Sequence, residues 1–158
     1  MRFNSWEQYS KFIGQKLTRL KDIDQYALTA ANNTYRKQLT RIFVDGKNSK
    51  GGKIGTYSEK YRELKAKKFG TGGKVDLVFT GQFRAAFTVA PNPSNNTVEL
   101  GFIDSSRKSL TGKSANVRNS EIREYNEDRY GAIFDMTDQE SNNAIKAINF
   151  RISELIDQ

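Results

Sequence analysis

A chain of 158 residues is one ordinary domain's worth, and its 18 aromatic side chains (10 Phe, 7 Tyr and Trp6) call for a packed interior. It has no cysteine and no histidine, which excludes Cys/His zinc sites, disulfide scaffolds and every nucleophilic triad that needs an imidazole base. The net charge of +8 is uneven: from Gly46 to Val75 nine Lys/Arg face only Glu59 and Glu63, a local surplus of +7, so any electrostatic function is local.

Without a neutral-pH base the chain is not expected to be an enzyme, and no catalytic residue, metal or cofactor is assigned. The N-terminus lacks the apolar run of a signal peptide, and no segment approaches the roughly 20 apolar residues of a membrane helix. A soluble protein made in a cytoplasm is expected.

Residues 4–43 read as helical, within an N-terminal region of 1–44. Ser5 and Gln8 match a capping box, and Trp6, Tyr9, Ile13, Leu17 and Leu20 form one apolar stripe. Lys21, Asp22 and Asp24 mark a break or restart. Tyr26, Ala27, Ala30, Ala31, Thr34 and Ile42 continue the period with small residues that allow close helix approach. One long, mildly bent helix is the alternative, because neither Pro nor Gly interrupts residues 15–45.

Residues 45–56 read as a basic, mobile loop. Four glycines and three lysines in DGKNSKGGKIG offer too little apolar surface to order it. Thr56 and Glu59 then suggest a capping box for a helix that ends at Gly70. Tyr57, Tyr61, Leu64 and Phe69 share its apolar face, and the opposite face is almost purely Lys and Arg.

A β region follows. Val75, Leu77 and Phe79 alternate with polar or smaller residues, and so do Phe83, Ala85, Phe87 and Val89, although TGQFRA also fits one helical turn capped by Thr80. PNPSNN (91–96) is a loop before Val98, Leu100 and Phe102. Residues 104–120 form a second long, polar loop in which Leu110 and Val117 are isolated apolar residues. A short helix, EIREYNEDR, is expected next. In RYGAIFDMTDQE (129–140), Ile133, Phe134 and Met136 are expected to enter the core. Thr137 and Glu140 cap a last helix with the stripe Ile145, Ile148, Ile152, Leu155 and Ile156.

The resulting fold is a single α+β domain over 1–158. A small antiparallel sheet is packed by a long N-terminal helical region and a C-terminal helix lying on its apolar face. Residues 57–158 form the α+β core, and two long flexible loops leave it.

Four features are candidates for function. The lysine-rich face could track a phosphate backbone, or be the solvated side of an amphipathic helix. GTGGK fails as a phosphate loop, since Lys74 is followed by Val75 rather than Ser or Thr, and the segment runs from helix to strand. Glu121, Glu124, Glu127 and Asp128 suit a solvated helix face better than a magnesium site. The two long loops read either as arms that order on assembly or as plain surface variability.

The order of these features resembles the phage virion-morphogenesis family, which includes tail-completion and neck (head–tail joining) proteins of long-tailed phages. The matching pieces cover roughly residues 55–158. They are the run from Lys74 to Arg84 with its Thr80-Gly81-Gln82-Phe83-Arg84 core, then the strand Val98-Glu99-Leu100-Gly101-Phe102. A polar loop, Glu124-Tyr125-Asn126, Arg129 before an apolar run, and Thr137 and Glu140 opening the final helix complete the match. Tyr130-Gly131 follows Arg129 directly, where the family often has a Pro-Phe or similar pair.

The resemblance implies a structural virion protein that forms a ring, commonly hexameric, at the neck or the head-proximal end of the tail. It would complete the tail and mediate head–tail joining. Its partners would be other copies of itself, a neighbouring neck or adaptor protein, and the tail-tube protein, with DNA passing through the ring without specific binding and no membrane. The expected subunit or partner contacts are Lys47, Lys50 and Lys53 of the basic loop, Arg107, Lys108, Lys113 and Arg118 of the long loop, Arg129, and Lys65, Lys67 and Lys68 of the basic helix face. The alternative is a nucleic-acid-binding protein using the segment from Lys47 to Lys74.

Overall fold

The computed structural model describes residues 5–20, 23–70, 72–78, 80–92, 94, 97–108 and 116–157. The Ser5 hydroxyl accepts the Gln8 N–H at 3.2 Å, and α1 (Trp6–Leu20) starts there as predicted. α2 (Ile23–Leu39) comes next; Lys21 and Asp22, the predicted restart, lie outside the described residues. α2 then widens into a π-helical turn over Thr40–Val44, closed by the Asp45 N–H on the Thr40 carbonyl at 2.8 Å. Arg41, Ile42 and Phe43 in this turn are all buried. Consecutive helical residues point about 100° apart, so the chain closes around most of the turn, leaving Thr40 and Val44 at its exposed rim.

Residues 45–55 are not the unstructured loop expected from composition. They form a tight hairpin in which Lys47 and Lys53 are bridge partners. Asn48 organises its tip: the N–H groups of Lys50 and Gly52 bond to Asn48 Oδ1 at 3.0 and 3.1 Å. Ile54, 4% exposed, plugs the hairpin into the core. Local side-chain bonds and one apolar anchor thus supply the order for which composition gives no grounds.

α3 (Glu59–Phe69) begins three residues later than the predicted cap at Thr56, with Ser58 at its N-cap, and ends at Gly70, whose φ of 67° is the left-handed stop the sequence suggested. The strand expected at Val75–Phe79 does not form in its described part. The Tyr57 hydroxyl accepts the N–H groups of Asp76 and Leu77 at 3.2 and 3.1 Å, and the Asp76 carboxylate accepts that of Val78 at 3.0 Å. Side chains have taken the donors a ladder would need, and Leu77 sits at φ 53°. Phe79 lies outside the described residues.

TGQFRA resolves as the helical alternative, α4 (Gln82–Ala86). β1 (Phe87–Asn92) and β2 (Thr97–Phe102) pair antiparallel, Phe87 opposite Phe102. The segment 104–120 is also not a plain loop. β3 (Ser106–Lys108) and β4 (Asn116–Arg118) pair into a short arm, with residues 109–115 outside the description, and Asn119 opens α5 (Asn119–Tyr130).

The core is built from the middle of the chain. Ile42, Phe43, Ile54, Val75, Phe83, Phe87, Ile133 and Phe134 are buried together, each contributing about 1.5–3 kcal/mol of burial. Phe102 knits the aromatics, stacked on Phe83 at 4.3 Å and edge-on to Phe134 at 4.9 Å. Ile133 and Phe134 therefore enter the core as expected, whereas Met136 is exposed.

The last helix, α6 (Asp138–Asp157), has the predicted cap: Thr137 N–H to Glu140 Oε2 at 2.8 Å and Glu140 N–H to Thr137 Oγ1 at 3.1 Å. Its packing differs from expectation. It lies against α2 and α1, and α2 carries the contacts to both strands. Buried Ala30, Ala31 and Thr34 keep the wall of α2 low enough for close approach. Of the described stripe residues, Ile145 is 52% exposed and Ile148 and Ile152 are partly buried, while the side chains of Leu155 and Ile156 lie outside the description. No helix among the described residues is long and apolar enough to cross a membrane.

One side chain ties these parts together. Arg41 is buried, and its Nε donates to Glu140 Oε1 at 3.0 Å. Its other nitrogens donate to the carbonyls of Lys47, Ile133 and Asp135 at 3.3, 3.1 and 2.8 Å. Removing one partner of a buried pair costs about 3–5 kcal/mol, because the other is left uncompensated. Arg41→Met is expected to lose that much in urea unfolding. Glu140→Gln keeps a capping group but leaves the guanidinium without its counter-charge, so a comparable loss is expected. A loss below about 1 kcal/mol for Arg41→Met would remove Arg41 from this role.

Candidate interface: the basic hairpin, the buried lysine and the arm

The structure splits the basic segment into parts with different environments. On the hairpin, Lys47, Lys50 and Lys53 are exposed. The hairpin is held from behind, since the Ser49 N–H and hydroxyl both reach the Ala132 carbonyl, at 3.2 and 2.8 Å. Gly46, at φ 66°, lets the neighbouring chain close in: a Cβ there would meet the Val75 carbonyl oxygen at 2.5 Å. Lys74 comes alongside and its ammonium donates to the Val44 carbonyl. The result is a fixed knob presenting three ammonium groups, rather than a mobile loop.

Lys65 does not belong to the basic surface. It is 1% exposed, with its ammonium paired to the Asp76 carboxylate and 5.0 Å from the centre of the Tyr57 ring. The Tyr57 hydroxyl also donates to Asp76 Oδ1, at 3.2 Å. Burial, with the Asp76 charge second, pushes the Tyr57 phenol far above its ordinary value, and the same causes raise Tyr61. The members of this cluster satisfy one another and hold the segment 74–78 against α3. The expected apolar face of α3 is not buried as a whole either: Leu64 and Phe69 are each about half exposed. Lys67 and Lys68 are exposed in the last turn of α3, where the helix dipole favours cations.

The arm and its root hold the remaining predicted residues. Arg118 is exposed and pairs with Asp104 at 3.2 Å. Asp104 also accepts the Ser120 N–H and hydroxyl at 3.2 and 2.9 Å, and these bonds, with Arg118, hold its carboxyl below the usual value. Arg107 and Lys108 lie on β3, where the backbone alone is described, and Lys113 lies outside the described residues. Arg129 is exposed on α5, donating to the Tyr125 hydroxyl at 3.1 Å and lying 5.2 Å from the Tyr130 ring centre.

The acidic run of α5 is divided by its partners. Glu121 accepts the Arg118 N–H at 2.7 Å, while Glu127 pairs with Arg123 and accepts the Phe134 N–H. Among the described residues no cluster of three or more acids is placed to hold a metal ion. The surface offers charge and hydrogen-bond donors on rigid supports, suited to docking.

Sequence reasoning missed Arg41, Asp76, Asp104 and Asn119. Asn119 is 2% exposed and donates to the Ile103 carbonyl at 2.7 Å and Ser105 Oγ at 3.1 Å, bracing the arm's root. Only Asp76 carried a signal, as a lone acid following the run of cations.

The division of the lysines is open to a direct comparison. Lys65→Glu should unfold the domain, since it places two carboxylates together in a buried site, whereas Lys67→Glu with Lys68→Glu should change the midpoint of urea unfolding little. Comparable losses for both variants would return Lys65 to the surface. The raised Tyr57 phenol stabilises the fold fully below the ordinary phenol value of 10.0, and that contribution is lost as pH rises above it. Stability measured between about pH 8 and about pH 11, a window that brackets the ordinary phenol value, should therefore fall at the alkaline end. Tyr57→Phe, though less stable at neutral pH, should flatten that fall.

Compared with family models, curated proteins and solved structures, the chain has no significant match.

Proposed function

We propose that the protein is a structural virion protein of a tailed phage, which forms a ring at the neck or the head-proximal tail end, completes the tail and mediates head–tail joining. The observation that carries the reading is the β3–β4 arm, a strand pair of three residues each. It sits between the β1–β2 sheet and α5, at the point where the order of features resembles that family. Two-stranded pairs are marginal alone, so such an arm gains stability when a neighbour covers it. The basic hairpin supplies a second rigid docking element. On this reading the protein works by shape and charge, without catalysis or cofactor. Its partners are its own copies, a neck or adaptor protein and the tail-tube protein, and its place is the virion, after synthesis in the host bacterium's cytoplasm.

The second reading is nucleic-acid binding through the segment from Lys47 to Lys74. The fixed presentation of Lys47, Lys50 and Lys53 favours it, and the loss of Lys65 from the surface weakens it.

Native mass measurement and electron microscopy of the protein, alone and with its tail-tube partner, should show a closed ring, most simply a hexamer. Absence of any ring at high concentration with the tail partner present would overturn the first reading. DNA binding whose affinity falls steeply with salt, and which is lost on reversing Lys47, Lys50 and Lys53, would favour the second.

A further inference from the structure

Two exposed surfaces of opposite sign carry charges that repel within themselves. The first is the hairpin. Lys47 and Lys53 face each other as bridge partners, Lys50 lies at the tip between them, and all three are exposed. Like charges directly opposite one another across a strand pair repel. The hairpin cannot spread to relieve this: Asn48 ties its tip, the Ser49 hydroxyl donates to the Ala132 carbonyl, and Ile54 is buried in the core. The second surface is the outer face of α5. Ile122, Asn126 and Tyr130 are partly buried on the inner side of that helix, while Glu124 and Asp128 are exposed, about half a turn round from them. These two acids stand four residues apart, so they also repel each other. Glu121, exposed too, extends the row toward the start of the helix. Tyr125, 60% exposed, stands beside the acids, with Arg129 drawn to its hydroxyl at 3.1 Å. Among the described residues, neither the hairpin lysines nor Glu124 and Asp128 take part in an ion pair.

We propose that the hairpin of one copy docks on the outer face of α5 of a second copy. Lys47, Lys50 and Lys53 would meet Glu121, Glu124 and Asp128, and the exposed Tyr125 ring would receive a lysine stem or its ammonium. Each surface then relieves the repulsion held in the other. A nucleic acid would neutralise the lysines alone and leave the acids of α5 as they are, whereas a second copy answers both. Within its own chain the hairpin is fastened at Ala132, beyond the end of α5, and none of its lysines pairs with an α5 acid. The two surfaces consist of different residues, so the contact is heterologous. A copy that gives its hairpin to one neighbour keeps its α5 face for another, which is the head-to-tail pattern that closes rings. The inference rests on the ring reading and supplies a contact that would build the ring.

Charge reversal tests the contact. Lys47→Glu, Lys50→Glu and Lys53→Glu are combined in one variant, Glu124→Lys and Asp128→Lys in another. Each variant alone should self-associate about tenfold or more weakly than the wild type in sedimentation at low salt, because like charges then face each other across the contact. Circular dichroism should be unchanged. An equimolar mixture of the two should assemble as the wild type does, since every hairpin then finds an α5 face of opposite sign, and native mass measurement should find both variants in equal number. Lys67→Glu with Lys68→Glu, a charge change outside both surfaces, should leave association unaltered. Wild-type association should weaken as salt rises toward about 1 M, where the screening length falls to about 3 Å. A wild type that assembles while both reversed variants assemble equally well would overturn the contact and leave the ring reading standing. Variants that fail singly and are not rescued by mixing overturn it too, because the two surfaces then do not face each other. DNA binding abolished by the lysine variant, with self-association untouched, assigns the hairpin to nucleic acid instead. A wild type that stays monomeric at low salt and high concentration also removes the contact, and the ring reading is then decided separately, by the search for a ring with the tail-tube protein present.

Discussion

Arg41 is the constraint on which the rest of the fold depends. A guanidinium is always charged and offers five donors in a plane, so burying it requires acceptors from several directions. Here they come from the hairpin at Lys47, from the approach to the last helix at Ile133 and Asp135, and from the carboxylate of Glu140. The hairpin, six residues on, and the stretch 133–140, more than ninety residues away, are drawn to one side chain. Glu140 is shared between two tasks, with one oxygen closing the cap of α6 and the other meeting Arg41. The start of α6 and the end of α2 are thus set by the same group.

A second polar cluster repeats the strategy on a smaller scale. Lys65, Asp76 and Tyr57 replace a strand's ladder with side-chain bonds and fasten 74–78 to α3. Both clusters use their charge internally. The outward charge is carried by the hairpin lysines and by the end of α3, each on a rigid support. This division separates groups that hold the fold from groups able to meet a partner.

Much of this was legible in the sequence where the signal is local. The caps at Ser5 and Thr137, the stop at Gly70, the helical option for TGQFRA and the α+β class depend on neighbours within a few residues. Long-range choices were not legible. Lys65 looks like its neighbours Lys67 and Lys68, and only the return of the chain at Asp76, eleven residues on, distinguishes it. The α6 stripe has ideal spacing, yet periodicity does not say which partner will cover it, and α2 already occupies the sheet. Composition misleads at the hairpin because it counts apolar residues, whereas Asn48 and Ile54 act through position. Of the candidate interface, the exposed lysines are visible in the sequence, and Asn119 at the arm's root gives no sign there.

The π-helical turn at Thr40–Val44 has a consequence for chain length. A π-turn holds one more residue than the α-helical turn it replaces. Deleting one residue there would let α2 close the same turn as ordinary helix, so the hairpin would keep its direction while the residues within the turn change places. Arg41 and Phe43 could not then both face their present neighbours. The count of residues between α2 and the hairpin is therefore fixed more tightly than their identity. Substitutions at the exposed rim of this turn are tolerable, but a single-residue deletion removes one of the inward positions that Arg41, Ile42 and Phe43 share.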